Sequence, residues 1–232
     1  MIIQHCTPQD LANGLIVEAD VVVAIPATDL LQAELAAQLM RRRAGAAGTI
    51  LVIHDIHRQG YIATCNQAFA QSRGNYFCYA AQDAFVGRLW LRVALNLMHK
   101  TGKNMLAFND GKWHGLLASF GMVKRHWAQQ HYGGALFHPS YHSHFGDAEL
   151  TLLARAHDQL CYAPRSVMIE VDWGKDDKIA HDGDRQVFQQ RANTLFEASV
   201  ASDADCVIFP VRKPHGVSNS GPSGQTPNPS GQ

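Results

Sequence analysis

The sequence carries no surplus charge of either sign: Lys plus Arg and Asp plus Glu both number 20, so the formal net charge is zero. Proteins that hold nucleic acid neutralise phosphates with a basic surface, so the balance argues against that class and no nucleic-acid partner is expected. It leaves room for a small local basic patch. Cysteine is sparse and unpatterned. The five residues stand at 6, 65, 78, 161 and 206, and no two have C-x-x-C spacing. That pattern reads as a reduced, cytoplasmic chain. Long apolar runs are missing as well. The first twenty residues hold no stretch of signal length, and no uninterrupted run reaches the roughly 18 residues of a membrane helix. No integral membrane segment is expected, and any membrane association would be peripheral. Internal repeats are absent, and H-E-x-x-H does not occur.

What is present is enough apolar material for a sizeable core, 46% of 232 residues, in a length that fits one α/β domain. The first half alternates. Asp20–Pro26, Thr49–Ile53, Asn75–Tyr79 and Asn104–Phe108 are short, continuous apolar runs, the pattern of strands buried on both faces. Helical patterns over 29–43, 60–72 and 84–100 separate them. The first has Asp29 as a cap, leucines 30, 31, 35 and 39 at helical spacing, and three arginines in its last turn. A β-α-β-α-β-α-β order implies a mainly parallel sheet with helices on its faces. The second half is less regular: a strand over 114–123, a short helix over 124–131, a loop from Gly133 to Phe145, a helix over 147–157, a strand over 166–172, a helix over 183–200 and a last strand over 205–209. From Lys213 onward Ser, Gly, Pro, Asn and Gln dominate, so residues 213–232 are expected to be a disordered tail after a domain of 1–212.

Ligands of open α/β sheets bind beyond the carboxyl ends of the strands. Asp55, Asp83 and Asp110 fall at such ends, and Asp29 just past another. Carboxylates converging on one edge repel one another unless a cation lies between them. Mg²⁺ takes one or two carboxylates together with phosphate oxygens. The alternative is that each Asp is a turn former or a helix cap.

The order of motifs resembles the family-2 glycosyltransferases. Ile25-Pro26-Ala27-Thr28 looks like the exit of their first strand, and His54-Asp55 like the acidic end of the second. Asn66-Gln67-Ala68-Phe69 followed by Ser72-Arg73-Gly74-Asn75-Tyr76-Phe77 resembles their next segment. Gln82-Asp83 falls where the family has its metal motif, and Gly146-Asp147-Ala148-Glu149-Leu150 resembles its later acidic motif. The likeness runs over roughly residues 20–200. It implies a GT-A fold, Rossmann-like, with a nucleotide-binding half over about 19–110 and an acceptor half over about 111–212. It also implies a nucleotide-sugar donor and Mg²⁺ or Mn²⁺. The acceptor would be a glycan, a lipid-linked molecule or a small molecule.

By that resemblance Pro26, Thr28, Asp55, Asn66, Gln82 and Asp83 would contact the donor. Asp83 would hold the metal, with Glu170 and Asp172 as further oxygen ligands where relatives often have a histidine. Asp147 would be the general base of an inverting transfer, with Glu149 beside it in the catalytic pair. A helix N-terminus favours the ionised carboxylate and lowers its basicity. Where the family shows two acids at the metal motif, the first here is Gln82.

Asp110, Trp113, His142 and His144 are candidate substrate contacts, since imidazoles bond sugar hydroxyls and sugar rings stack on indoles. Two other readings stay open. His138, His142 and His144 could hold zinc in a metal-dependent hydrolase. Alternatively, Gln82 could mark a GT-A module that binds sugar nucleotides and turns them over weakly.

Overall fold

The computed structural model describes residues 1–171 and 182–200. In chain order the elements are β1 (Ile2–Cys6), α1 (Pro8–Ala12), β2 (Val17–Glu18), β3 (Val21–Ala27), α2 (Leu30–Arg43), β4 (Thr49–His54) and α3 (Tyr61–Ala70). There follow β5 (Ser72–Arg73), β6 (Tyr76–Tyr79), β7 (Ala84–Val86), α4 (Trp90–Thr101), β8 (Met105–Asn109) and β9 (Gly121–Lys124). The last are α5 (Arg125–Ala128), a 3₁₀ turn at Tyr132–Gly134, α6 (Gly146–Ala156), β10 (Leu160–Glu170), α7 (Asp182–Asn193) and a single turn at Leu195–Ala198. Asp172, the strand expected at 205–209 and the tail from 213 lie outside the described residues. Among the described residues no helix is long and apolar enough to cross a membrane.

Among the described residues eight strands form one sheet in the order β1-β4-β3-β6-β9-β8-β10-β7. Strands β1, β4, β3 and β6 run parallel; β9 is antiparallel to both β6 and β8; β10 is parallel to β8; and β7 is antiparallel to β10. The carboxyl ends of β3, β4, β6, β8 and β10 therefore meet on one edge. Alternation along each strand explains the unbroken apolar runs. On β3, Val22 and Ala24 face a core built with α3 and α6, while Val21, Val23 and Ile25 face a second core built with α2 and α4. Both faces are covered, so every position of the strand is apolar.

Several sequence expectations need correction. Residues 1–18, too mixed to assign, supply the edge strand β1 and a short helix capped by Thr7. The helix expected from 84 starts at Trp90. Ala84–Val86 is instead a strand, because Phe85 and Val86 find an antiparallel partner in Ile169 and Met168 of β10. The strand expected over 114–123 shrinks to Gly121–Lys124. Strand β10 begins at Leu160, six residues earlier than its pattern indicates. Asp29 does cap α2, accepting from the Gln32 N–H. The buried stripe of that helix, however, is Ala33, Ala36, Ala37 and Met40. Leu30, Leu31 and Leu35 are exposed, since small residues let the helix sit close to the sheet.

Candidate functional site

At the strand-end edge a cavity of about 410 Å³ opens, lined among others by Tyr61, Ala81, Asp110, Trp113, His144, Asp147 and Glu170. These residues come from five separate stretches of chain. Asp110 follows β8 and is buried; its carboxylate accepts from the Lys112 and Trp113 N–H groups at 2.9 Å and from the Ser119 hydroxyl at 2.6 Å. It folds the loop that presents Trp113, whose indole is partly exposed at the cavity.

Asp147 stands in the first turn of α6. Gly146, just before it, is packed so closely that an added Cβ would lie 2.6 Å from Ile62 Cδ1 and 3.1 Å from the Phe137 ring. That contact brings the start of α6 against α3. Burial pushes the Asp147 carboxyl up to about 6, against the pull of its own N–H and that of Ala148, and nearby Asp110 adds to the rise. The lowering expected from the helix N-terminus is thus outweighed by desolvation.

Asp83 and Glu170, 87 residues apart, are neighbours because β7 pairs with the end of β10: Glu170 is opposite Ala84, and the Val171 N–H donates to the Asp83 carbonyl at 3.3 Å. Glu170 lines the cavity and lies 3.8 Å from Lys112 Nζ. Asp83 is buried at the turn between β6 and β7. The side-chain oxygen of Gln82 accepts from the Thr28 and Asp29 N–H groups at 2.8 and 3.0 Å, which ties the metal-motif position to the start of α2.

Other candidates stand apart from the cavity. Asp55 is buried and accepts from the Gln59 and Gly60 N–H groups, closing the turn before α3. Gly60 itself sits at φ 106° with the His142 carbonyl so near that a Cβ would be 2.6 Å from it, so only glycine fits. The Asn66 amide is spent on both backbone groups of Phe137, at 3.0 and 2.9 Å. Pro26 lies within β3, and Thr28 is exposed just beyond it.

Glu149 is fully buried and faces away from the cavity lining. Arg191 grips both of its oxygens at 2.7 Å and the Tyr141 hydroxyl donates at 2.7 Å. The carboxylate placed in the catalytic pair from sequence is therefore committed to anchoring α7 on α6.

The histidines separate. His144 belongs to the cleft, whereas His138 lines a second cavity of about 440 Å³ with Tyr132, Arg191 and Glu197. Burial pushes His138 below the usual imidazole range, and Arg191 adds to the effect. His142 is exposed, its ring 2.8 Å from the Ser143 hydroxyl. Among the described residues no three His, Cys, Asp or Glu side chains are grouped to hold a metal ion. The loop is shaped by a residue that sequence reasoning missed. The buried carboxylate of Asp184 accepts from three successive N–H groups, those of His142, Ser143 and His144, at 2.7–2.9 Å. Lys112 was also missed, although it follows a strand-end turn directly.

No family model matches the chain, and no curated protein matches it. Solved structures do. S. aureus TarS superposes with a TM-score of 0.57 at 11% identity over 80% of this chain, which spans only 41% of TarS. Glucosyl-3-phosphoglycerate synthase of Mycobacterium tuberculosis, with Mn²⁺, UDP-glucose and phosphoglyceric acid, gives 0.52 at 12% identity, covering 84% of each chain. The mannosyltransferase PcManGT of Pyrobaculum calidifontis, with GDP-Man and Mn²⁺, gives 0.50 at 12% identity over 81% of this chain and 67% of its own. The fold is that of the GT-A nucleotide-diphospho-sugar transferases.

Proposed function

We propose that the chain is a metal-assisted glycosyltransferase that moves a sugar from a nucleoside-diphosphate donor to an acceptor hydroxyl with inversion. The observation that carries this reading is Asp147: a carboxyl at the strand-end cavity of a GT-A fold, its affinity for a proton raised to about 6 by burial. A general base serves best with a value near the working pH. At neutral pH Asp147 is mostly ionised, yet basic enough to take the proton from the acceptor oxygen as that oxygen bonds to the sugar carbon. The bond from that carbon to the diphosphate breaks with its electron pair, and the nucleoside diphosphate leaves.

Asp83 and Glu170 stand at adjoining backbone positions of the β7–β10 pair, and each carries the hard oxygen donors that would suit Mg²⁺ or Mn²⁺. Two protein carboxylates leave room for phosphate oxygens of the donor to complete the shell. When bound, the cation neutralises charge on the departing diphosphate. Lys112 beside Glu170 adds a positive group at the same edge. Trp113 offers an indole face for a sugar ring, and His144 a hydrogen-bonding group on the opposite loop. The structural relatives hold UDP-GlcNAc, UDP-glucose or GDP-Man, which sets the first donors to try.

The test is release of nucleoside diphosphate from such a panel with Mn²⁺, followed across pH. The rate of the wild type should fall as pH drops through about 6, because the base is lost on protonation. A rate that is flat from neutral down to about pH 4.5 would remove Asp147 from the role. A binding-only reading has one observation in its favour: the Gln82 oxygen that replaces an acid is already occupied by the α2 N-terminus. It requires nucleotide binding without any release.

A further inference from the structure

The neutral chain hides a strongly uneven surface. Residues 35–54 and 84–109 contain seven Lys and Arg residues and no Asp or Glu. The fold brings the arginine-rich parts of these two stretches together. The end of α2 packs on the start of α4: the Arg92 N–H donates to the Ala44 carbonyl at 3.1 Å, and the Trp90 indole donates to the Met40 carbonyl at 3.1 Å. A Cβ added at Gly45 would stand 2.7 Å from Leu89 Cδ2 and 3.4 Å from Arg92 Cβ. Strand β7 joins the same surface, since Arg43 bonds the Val86 carbonyl at 2.7 Å and lies over the Phe85 ring at 4.8 Å.

On this surface Arg42, Arg88 and Arg92 are exposed, and among the described residues none pairs with a carboxylate. Between them Phe85 and Leu89 stand out, each 40% exposed. Unpaired guanidinium groups around projecting apolar side chains match one kind of partner: a surface that is negatively charged and apolar just beneath its charge. Guanidinium groups bond phosphates in fixed pairs, while the ring and the leucine enter the layer below.

We infer that the face formed by Arg42, Phe85, Arg88, Leu89 and Arg92 docks the protein on an anionic lipid bilayer. A protein partner fits less well, because two projecting apolar side chains make too small a core for a specific interface of about 800 Å² per side. Membranes need less: each basic residue near an anionic leaflet adds attraction, and a few inserted side chains complete the binding. The inference is independent of the transferase reading, since the face lies outside the cleft and its test uses no substrate.

The test is co-sedimentation of the full chain with phosphatidylcholine vesicles, with and without phosphatidylglycerol, at low and high salt. Binding is expected only with phosphatidylglycerol, and it should weaken as salt rises. Arg88→Glu with Arg92→Glu should lower the partition coefficient roughly 30-fold or more, taking about one factor of five for each lost basic group. Phe85→Ser with Leu89→Ser should lower it with the salt dependence kept. Circular dichroism melts identify any variant that has lost its fold, and Arg42→Glu then replaces it. Failure of the wild type to bind phosphatidylglycerol vesicles at low salt overturns the inference, as does binding that both arginine reversals leave unchanged. A face built for an acidic protein would give the first of these results.

Discussion

Replacing Asp147 by asparagine should make the protein more stable while removing its activity. The carboxyl's affinity for a proton rises from an ordinary 3.8 to about 6 on folding, chiefly because burial disfavours the charge. An acid raised in this way is penalised when ionised. The penalty is absent below about pH 4, grows between about 4 and 6, and is complete above that. A rise of roughly two units corresponds to about 3 kcal/mol at 1.36 kcal/mol per unit. Asp147 keeps partial contact with solvent, which screens the effect to about 1–3 kcal/mol. Asparagine keeps an oxygen for the N–H groups of residues 147 and 148 and carries no charge. Urea unfolding of both proteins at about pH 7.5 should show Asp147→Asn more stable by that amount, and at about pH 4 the difference should close. Nucleotide release should meanwhile drop 10²–10⁴-fold, the usual contribution of a general base. Equal stability at both pH values, or an asparagine variant less stable at neutral pH, would refute the argument that burial sets this carboxyl.

Glu149→Gln should behave in the opposite way. It takes the carboxylate from two of the Arg191 N–H groups and leaves Glu197 as that guanidinium's remaining ion-pair partner, at a cost of about 1–3 kcal/mol in chemical denaturation. Nucleotide affinity of the folded fraction should hold; an unaltered midpoint would show the ion pair to be unimportant. Asp184→Ala strips the acceptor from three N–H groups in the 142–144 loop and should cost about 2–3 kcal/mol. The change should also raise proteolysis there. Burial opposes ionisation of Asp184, but the three N–H groups win and hold it below the usual carboxylate range. Its contribution is therefore present at neutral pH and lost as pH falls through that range. Gln82→Ala removes the acceptor of two exposed N–H groups at the start of α2, which water can then reach, and should lower stability by only about 0.5–1.5 kcal/mol, read from its melting curve.

The fold was legible where pattern follows burial. Four apolar runs became four strands because both faces of that half-sheet are covered, which leaves a continuous signal. Strand β7 was unreadable because three residues joined to a helical pattern carry no period of their own; only pairing with β10 makes them a strand. The leucines of α2 misled because helical spacing reports a stripe and not which stripe faces inward. Within the site, strand-end position located Asp110, and the family resemblance pointed to Glu170 and, at the start of a helix, to Asp147. Glu149, two positions further round the same helix, faces Arg191 instead, and sequence gives no sign of a partner 42 residues away. Asp184 reads as an ordinary acid until the fold sets it beneath three consecutive amides.

The most direct measurement is a calorimetric titration of UDP and of GDP into the protein, with and without Mn²⁺, repeated on Asp83→Asn. Binding of one of the two nucleotides that depends on Mn²⁺, and weakens at least tenfold in the variant, is the expected result. Absence of heat from both nucleotides with Mn²⁺ present would contradict the proposal that this cleft holds a nucleoside-diphosphate sugar.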